Sequence, residues 1–300
     1  MKLASTPIKI REIMAARRAP LKVFKKQRST RRITIWNWVT VPISKLPDSR
    51  LKASTADEWI SSRDAITSVS TVEEHGSRVY TITTRPASSP VEEIKLSYHS
   101  VTTILGRMLD KTSIEEWRDA VGHEQADAYT AAASEKGSNV HAMIECYVRL
   151  GHNSSDQINH ANFSKVMASD GRTPEEFTIF HLLRQHIDTF DNFEGVEVLI
   201  YHPRHKYAGR IDLIGRRGDK LVLIDIKTYG KQRSDEHLLS AKLQTTLYAI
   251  AMRDVYGVHI DEVEIVYANP TSGLQVVPVD VASYESEAIE LTTKYEMLYA

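Results

Sequence analysis

The chain has 300 residues, 42% of them hydrophobic and 26% charged, with a formal net charge of -1. That suits one large α/β domain, or one domain with an appendage. Its longest apolar runs stay under ten residues, short of the ~20 that cross a bilayer, and no secretory apolar segment opens the sequence, so an intracellular protein without a membrane partner is expected.

Cys146 is the only cysteine. Within one chain this excludes a disulfide, a cysteine-based zinc site and a cysteine-ligated iron-sulfur cluster, so any metal must use oxygen and imidazole donors. No G-x-x-x-x-G-K-[ST] occurs, which argues against a nucleotide cofactor and an ATP-driven motor. The charge is unevenly spread. Residues 1-32 carry eleven Lys or Arg against Glu12 alone, which leaves 27 basic and 38 acidic residues in 33-300. This basic arm reads equally as a mitochondrial presequence, a nucleic-acid-binding arm or a solvated tail.

Residues 33-98 hold short alternating runs, ITIWNWVTVPI, SRVYTITTRP and EEIKLSYHS, and are expected to form a small strand-containing N-terminal region. Trp36 and Trp38 share one face of the first run, as a half-buried pair or as a base-stacking platform. From 99 to 300 the pattern is that of a second unit. SVTTILGRMLDKTSIEEWRDAVG predicts a helix capped near Ser113, with Glu116 at capping-box spacing, and ADAYTAAASEKGSNVHAMIECYVRLG a longer helix ending at Gly151. A polar link precedes a helix whose first turn holds Pro174.

Strands EGVEVLIYH, YAGRIDLIG and KLVLIDIKT follow, then the apolar helix LLSAKLQTTLYAIAMRDVYG, the strand VEIVYANP and a closing helix from about Tyr284. The order predicts an α/β fold: a central mixed sheet flanked by helices.

The chemistry concentrates in GRIDLIGRRGDKLVLIDIKT, residues 209-228. Period-2 alternation places Leu221, Leu223, Asp225 and Lys227 on one face of the second run. An even-length turn centred between Arg217 and Gly218 would set Asp212 opposite Leu223 and diagonal to Asp225, roughly 7-8 Å away. Two carboxylates so placed can converge on one divalent cation. A solvated face is the alternative, weakened by the two leucines and by the wholly apolar opposite face. Hard oxygen ligands point to Mg2+ or Mn2+.

G-R-I-D followed by I-D-I-K-T, with the aspartates thirteen residues apart, resembles the PD-(D/E)XK nuclease superfamily, in the branch of RecB-type nuclease domains and the mitochondrial genome maintenance exonuclease. SVTTILG at 100-106, KGSNVHAMIECY at 136-147 and AKLQTTLYA at 241-249 stand in the order this branch uses. The resemblance implies a restriction-endonuclease-like core and makes Asp212 and Asp225 metal ligands, joined by His141 and the backbone carbonyl of Ile226. Lys227 becomes the lysine that orients or activates the attacking water, and Gln244 and Tyr248 match the Q-x-x-x-Y helix over the site. Asp225 replaces the Glu of many members, and Ile211 stands where the name-giving motif has Pro.

The residues alone leave several roles open. His141 and Glu145 share a helix face, as ligands or as ordinary polar neighbours of an apolar stripe, and Glu197 is equally an acidic site residue or a solvent-facing one. His202 and His205 read as surface or DNA-facing. Arg210, Arg216, Arg217 and Lys231 are candidates for phosphate contacts. The implied reaction is metal-dependent hydrolysis of DNA, with exonuclease action on single strands or ends expected over site-specific cutting. DNA with single strands or free ends is the expected partner, and replication or recombination proteins are further candidates, in a bacterial or phage-infected cytoplasm or in the mitochondrial matrix. The rivals are an endonuclease, a non-cleaving nucleic-acid-binding protein and a small-molecule phosphatase.

Overall fold

A computed structural model describes residues 33-34, 64-74, 76-86, 93-149, 172-228 and 238-299. The basic arm, Trp36, Trp38 and Lys231 lie outside these residues. In chain order the strands are β1 (Ile33–Thr34), β2 (Asp64–Glu74), β3 (Ser77–Pro86), β4 (Ile94–Ser100), β5 (Asn192–His202), β6 (Tyr207–Arg217), β7 (Lys220–Lys227), β8 (Glu262–Asn269) and β9 (Gly273–Pro278). The helices are α1 (Val101–Met108), α2 (Thr112–Val121), α3 (His123–Arg149), α4 (Pro174–Ile187), α5 (Leu239–Asp254) and α6 (Val281–Tyr299).

All nine described strands join one mixed sheet, ordered β1-β2-β3-β4-β6-β7-β8-β9, with β5 also paired to β6. β4 meets β6 in parallel through His99 and Ser100 against Tyr207 and Ala208. The opposite end of β6 pairs antiparallel with β7, from Leu213 to Arg217. β5 runs antiparallel to β6 over nearly its whole length. β4 and β7 thus hold the two ends of β6, and the stretch from Gly209 to Asp212 lies between them.

Alternation in the central strands splits the core in two. Leu221 and Leu223 of β7, with Val263 and Ile265 of β8, pack against α1, α5 and α6. Val222, Ile224 and Ile226 face α3 and α4. A strand apolar on both faces is covered on both, which is why this hairpin reads as a near-continuous hydrophobic run. Helix α3 anchors through Val140, Met143, Ile144, Tyr147 and Val148, all buried, at the spacing of a single helical stripe. Each contributes about 1.5-3 kcal/mol relative to exposure.

Several boundaries differ from the sequence expectations. No side-chain cap forms at the start of α2; its N-cap is Lys111, and Asp110 instead accepts from the amide and hydroxyl of Thr112. The preceding segment is a separate short helix, α1, capped by Ser100 accepting from the Thr103 amide. A capping box does occur at Thr173 and Glu176, with Pro174 in the first turn. Strand β2 occupies residues expected to be merely polar; its alternation is carried by Ser and Thr, which blur the contrast between faces.

Candidate active site

In a regular strand, residues two apart share a face. Val196 and Leu213 pack on the side of α3 and α4, whereas Val198 and Ile211 pack on the side of α5. The ladder pairs Val196 with Leu213 and Val198 with Ile211, so both strands exchange faces at the intervening residues, Glu197 and Asp212. Glu197 takes up the distortion with φ 53°, a left-handed conformation disfavoured for a residue with a Cβ. Gly195 gives it room, since a Cβ there would lie 2.4 Å from Cγ2 of Val198.

The β6–β7 turn also differs from expectation. Arg217 pairs with Lys220, so the turn is centred on Gly218 and Asp219, with Gly218 at φ 59°. Asp212 therefore comes level with Asp225, not Leu223. A slip of two residues preserves the alternation, so the aspartates still converge. Regular pairing ends at Leu213 and Ile224. Beyond it, Oδ2 of Asp212 accepts the backbone N–H of Ile226 at 2.7 Å, taking the place of a ladder bond.

Helix α3 brings His141 to this opening from the edge of its buried stripe. Its Nε2 lies 3.1 Å from the carbonyl oxygen of Ile226; its Nδ1 lies 3.5 Å from Oδ1 of Asp212 and 3.9 Å from Oε1 of Glu197. Ligand atoms of His141, Glu197 and Asp212 all fall within 4.8 Å of one another. Burial pushes His141 down, but Asp212 and Glu197 outweigh it and hold its pKa at about 9. Burial, joined by the charges of Asp225 and Glu197, pushes Asp212 up to about 7 against the pull of His141 and Lys227. Burial also acts to raise Glu197, yet His141 and Arg210 carry it below the usual range.

Asp225 and Lys227 face α5. Nζ of Lys227 lies 2.8 Å from Oδ2 of Asp225 and donates to Oε1 of Gln244 at 3.2 Å. Nε2 of Gln244 donates to Oδ1 of Asp225 at 2.9 Å and to the Tyr248 hydroxyl at 3.1 Å. Both amide hydrogens and the amide oxygen are thereby used. The amide can point only one way, its oxygen to the cation and its nitrogen to the anion.

The donor set fits a hard divalent cation. Three carboxylates crowd one buried region, and like charges at such distances resist joint ionisation. Asp225 is 1% exposed, and its Oδ2 makes no aligned hydrogen bond although the ammonium is near. A carboxylate whose oxygens face one ammonium and one amide still has lone pairs to offer a cation. Carboxylates and a backbone carbonyl are the ligand types such ions accept, and the His141 imidazole adds a softer nitrogen donor beside them.

A family model described as the PD-(D/E)XK nuclease superfamily matches residues 116-295. The chain belongs to that superfamily. No curated protein matches it. Among solved structures, a chain titled "Crystal structure of SSO0001" is similar at 20% identity and a TM-score of 0.27, over 47% of this chain and 68% of that one. PD-(D/E)XK membership makes the protein a nuclease.

The other residues singled out from the sequence are distributed unevenly. Arg210 reaches Glu197 at 3.4 Å. Arg216 pairs with Glu194 at 3.2 Å, and Arg217 makes two bonds to Glu264 while lying over the Phe190 ring; both stand at the turn end of β6. Glu145 is one helical turn beyond His141, outside the three-residue cluster. His202 is not on the surface: it is 4% exposed, packed against Tyr207, and accepts from the His205 amide. Gly209 opens the G-R-I-D run but carried no assigned role. A Cβ there would lie 2.5 Å from Cε1 of Tyr248, so the motif's glycine is the seat of that ring.

Proposed function

We propose that this nuclease is a metal-dependent exodeoxyribonuclease that hydrolyses phosphodiester bonds at DNA ends or in single strands, during replication, repair or recombination. The observation that carries the hydrolytic reading is the meeting of His141, Glu197 and Asp212 beside the Asp225–Lys227–Gln244 group. His141, Asp212, Asp225, Glu197 and the Ile226 carbonyl would hold Mg2+ or Mn2+. Such a cation supplies Lewis acidity, lowering the pKa of bound water and neutralising charge on the phosphate.

Lys227 brings a compact positive charge to the negative oxygens of the scissile phosphate and orients the attacking water. Gln244 holds that ammonium, and Asp225 fixes it from the other side. Closure of the region by α3 and α5 limits stray water and strengthens each of these interactions. Arg210, beside Glu197, is the phosphate contact nearest the cluster. Arg216 and Arg217 already bind carboxylates, and Lys231 completes the proposed set.

The exonuclease assignment rests on the order of motifs, which resembles that of the RecB-like branch. An intracellular compartment containing DNA belongs to the same reading. Among the described residues no helix is long and apolar enough to cross a membrane.

The test uses end-labelled linear single- and double-stranded DNA, covalently closed circles and a matched RNA, each with Mg2+, Mn2+ or EDTA. Metal-dependent loss of linear DNA with circles intact is the expected result. Nicked circles would make it an endonuclease, degraded RNA would change the substrate class, and binding without cleavage would leave a binding protein. Asp225→Ala and Lys227→Ala should abolish cleavage; either retaining wild-type rates would overturn the assignment.

A further inference from the structure

Gly209 lies on β6 between the segment held by β4 and the segment held by β7. Tyr248 fills the space above it. A Cβ at Gly209 would stand 2.5 Å from Cε1, 3.0 Å from Cζ and 3.1 Å from the hydroxyl of Tyr248; the first is closer than a methyl group tolerates, and the other two are tight. These three nearest atoms all belong to that one side chain, which is only 3% exposed and so cannot swing aside as a surface side chain would.

The Tyr248 hydroxyl accepts from the Gln244 amide, whose other atoms bind Asp225 and Lys227. Burial holds the phenol well above its usual pKa, so it remains a neutral hydroxyl. A chain of direct contacts therefore runs from the backbone of β6 through one ring and one amide to the ammonium and carboxylate on β7. Gly209 is three residues from Asp212 on the same strand.

We infer that Gly209 is a positioning residue for the hydrolytic site: its missing side chain seats Tyr248 against β6, and through Gln244 this fixes Lys227 and Asp225 relative to Asp212. The inference rests on the nuclease reading and adds a residue to its machinery. Its role is conferred by the absence of a side chain. The φ of Gly209 is not in the left-handed range, so alanine fits the backbone there and its closest conflict is with the ring.

Steady-state cleavage of a linear DNA is measured for the full-length wild type, Gly209→Ala, Tyr248→Ala and the double variant, with DNA affinity determined separately in EDTA. Gly209→Ala is expected to lower kcat by about 10- to 100-fold, as for a displacement of about an ångström at a catalytic group, with KM and DNA affinity within twofold. In the Tyr248→Ala background, where the ring is gone, the same substitution should change kcat less than twofold. That non-additivity is the signature of coupling through the ring; a general weakening of the fold would lower both backgrounds by the same factor.

Should Gly209→Ala prove insoluble, Tyr248→Phe keeps the packing against Gly209 and removes only the hydroxyl. It should lose kcat at an unchanged melting temperature, and full activity would overturn the relay. Wild-type kcat in Gly209→Ala, or equal losses in both backgrounds, would overturn the inference. A wild type that cleaves no nucleic acid with any metal would instead sink the nuclease reading itself.

Discussion

Glu197 stands across the β5–β6 ladder from Asp212, between the pairs Val196–Leu213 and Val198–Ile211, and at this step both strands exchange the faces they bury. The left-handed φ of Glu197 costs about 1 kcal/mol in a residue with a Cβ. Glycine at this position should relieve that strain. Glu197→Gly is therefore expected to be more stable than Glu197→Ala by about 1 kcal/mol, or roughly 2 °C in Tm, while both weaken Mn2+ binding. Thermal melts of the two variants without metal decide it. An alanine variant as stable as the glycine variant would remove strain from the account.

The same cluster should couple cation binding to proton release. Without metal, His141 is held at about 9 and Asp212 at about 7, so at neutral pH the site carries protons that a cation must displace. Ligands bind metal in their deprotonated forms, and affinity then rises with pH, about tenfold per unit for each proton released. Mn2+ affinity measured by calorimetry should climb from pH ~6 to ~9, with heats that depend on the buffer's ionisation enthalpy. His141→Gln should flatten the upper part of that rise. Affinity independent of pH across this range would contradict the proposed ligand set.

The hairpin of β6 and β7, the helix of Gln244 and Tyr248 and the face of α3 bearing His141 were legible because each follows a simple period. Asp225 and Lys227 share a face by alternation, and Gln244 and Tyr248 by one helical turn. The exchange of faces at Glu197 was not legible. Alternation presumes a regular strand, and only the packing of Val196 and Val198 on opposite faces and the positive φ of Glu197 reveal the kink. Arg216 and Arg217 looked like free cations in a charged turn, but their carboxylate partners lie 22 and 47 residues away in the chain, beyond any local pattern. Gly209 escaped for the same reason, since its neighbour Tyr248 lies on another element.

The polarity of the Gln244 amide makes a sharp prediction. It offers hydrogens to Asp225 and an oxygen to Lys227, and an ionised glutamate offers only oxygens. Gln244→Glu would place a second carboxylate against Asp225, where like charges cannot both ionise. It should therefore lose more cleavage activity at pH 7 than Gln244→Leu, which merely removes the link and is expected to fall about 10- to 100-fold. Single-turnover rates compare the two. A glutamate variant more active than the leucine variant would show that charge at this position is tolerated.

Away from the site, Glu264 should contribute to acid sensitivity of the fold. It is nearly buried on β8, bonded to His186 of α4 at 2.8 Å and bidentately to Arg217 of β6. Burial alone would raise its pKa, but these partners outweigh it and hold the carboxyl below its usual 4.5. A folded-state pKa below the unfolded one means that the stabilisation is fully present above pH ~4.5 and fades as pH falls through the folded value. Wild type should therefore exceed Glu264→Gln in stability at neutral pH, because the amide cannot pair with the guanidinium as an anion does and leaves Arg217 only its longer, more exposed contact with Glu262 at 3.5 Å. The gap should narrow below pH ~4.5, as the wild-type carboxyl takes up its proton and comes to resemble the amide. Urea unfolding of both proteins from pH ~3 to ~7 gives the comparison, with DNA cleavage at pH 7 as a control on the distant site. A gap that stays constant across this range would mean that packing, not the ionised carboxylate, is what the strand supplies.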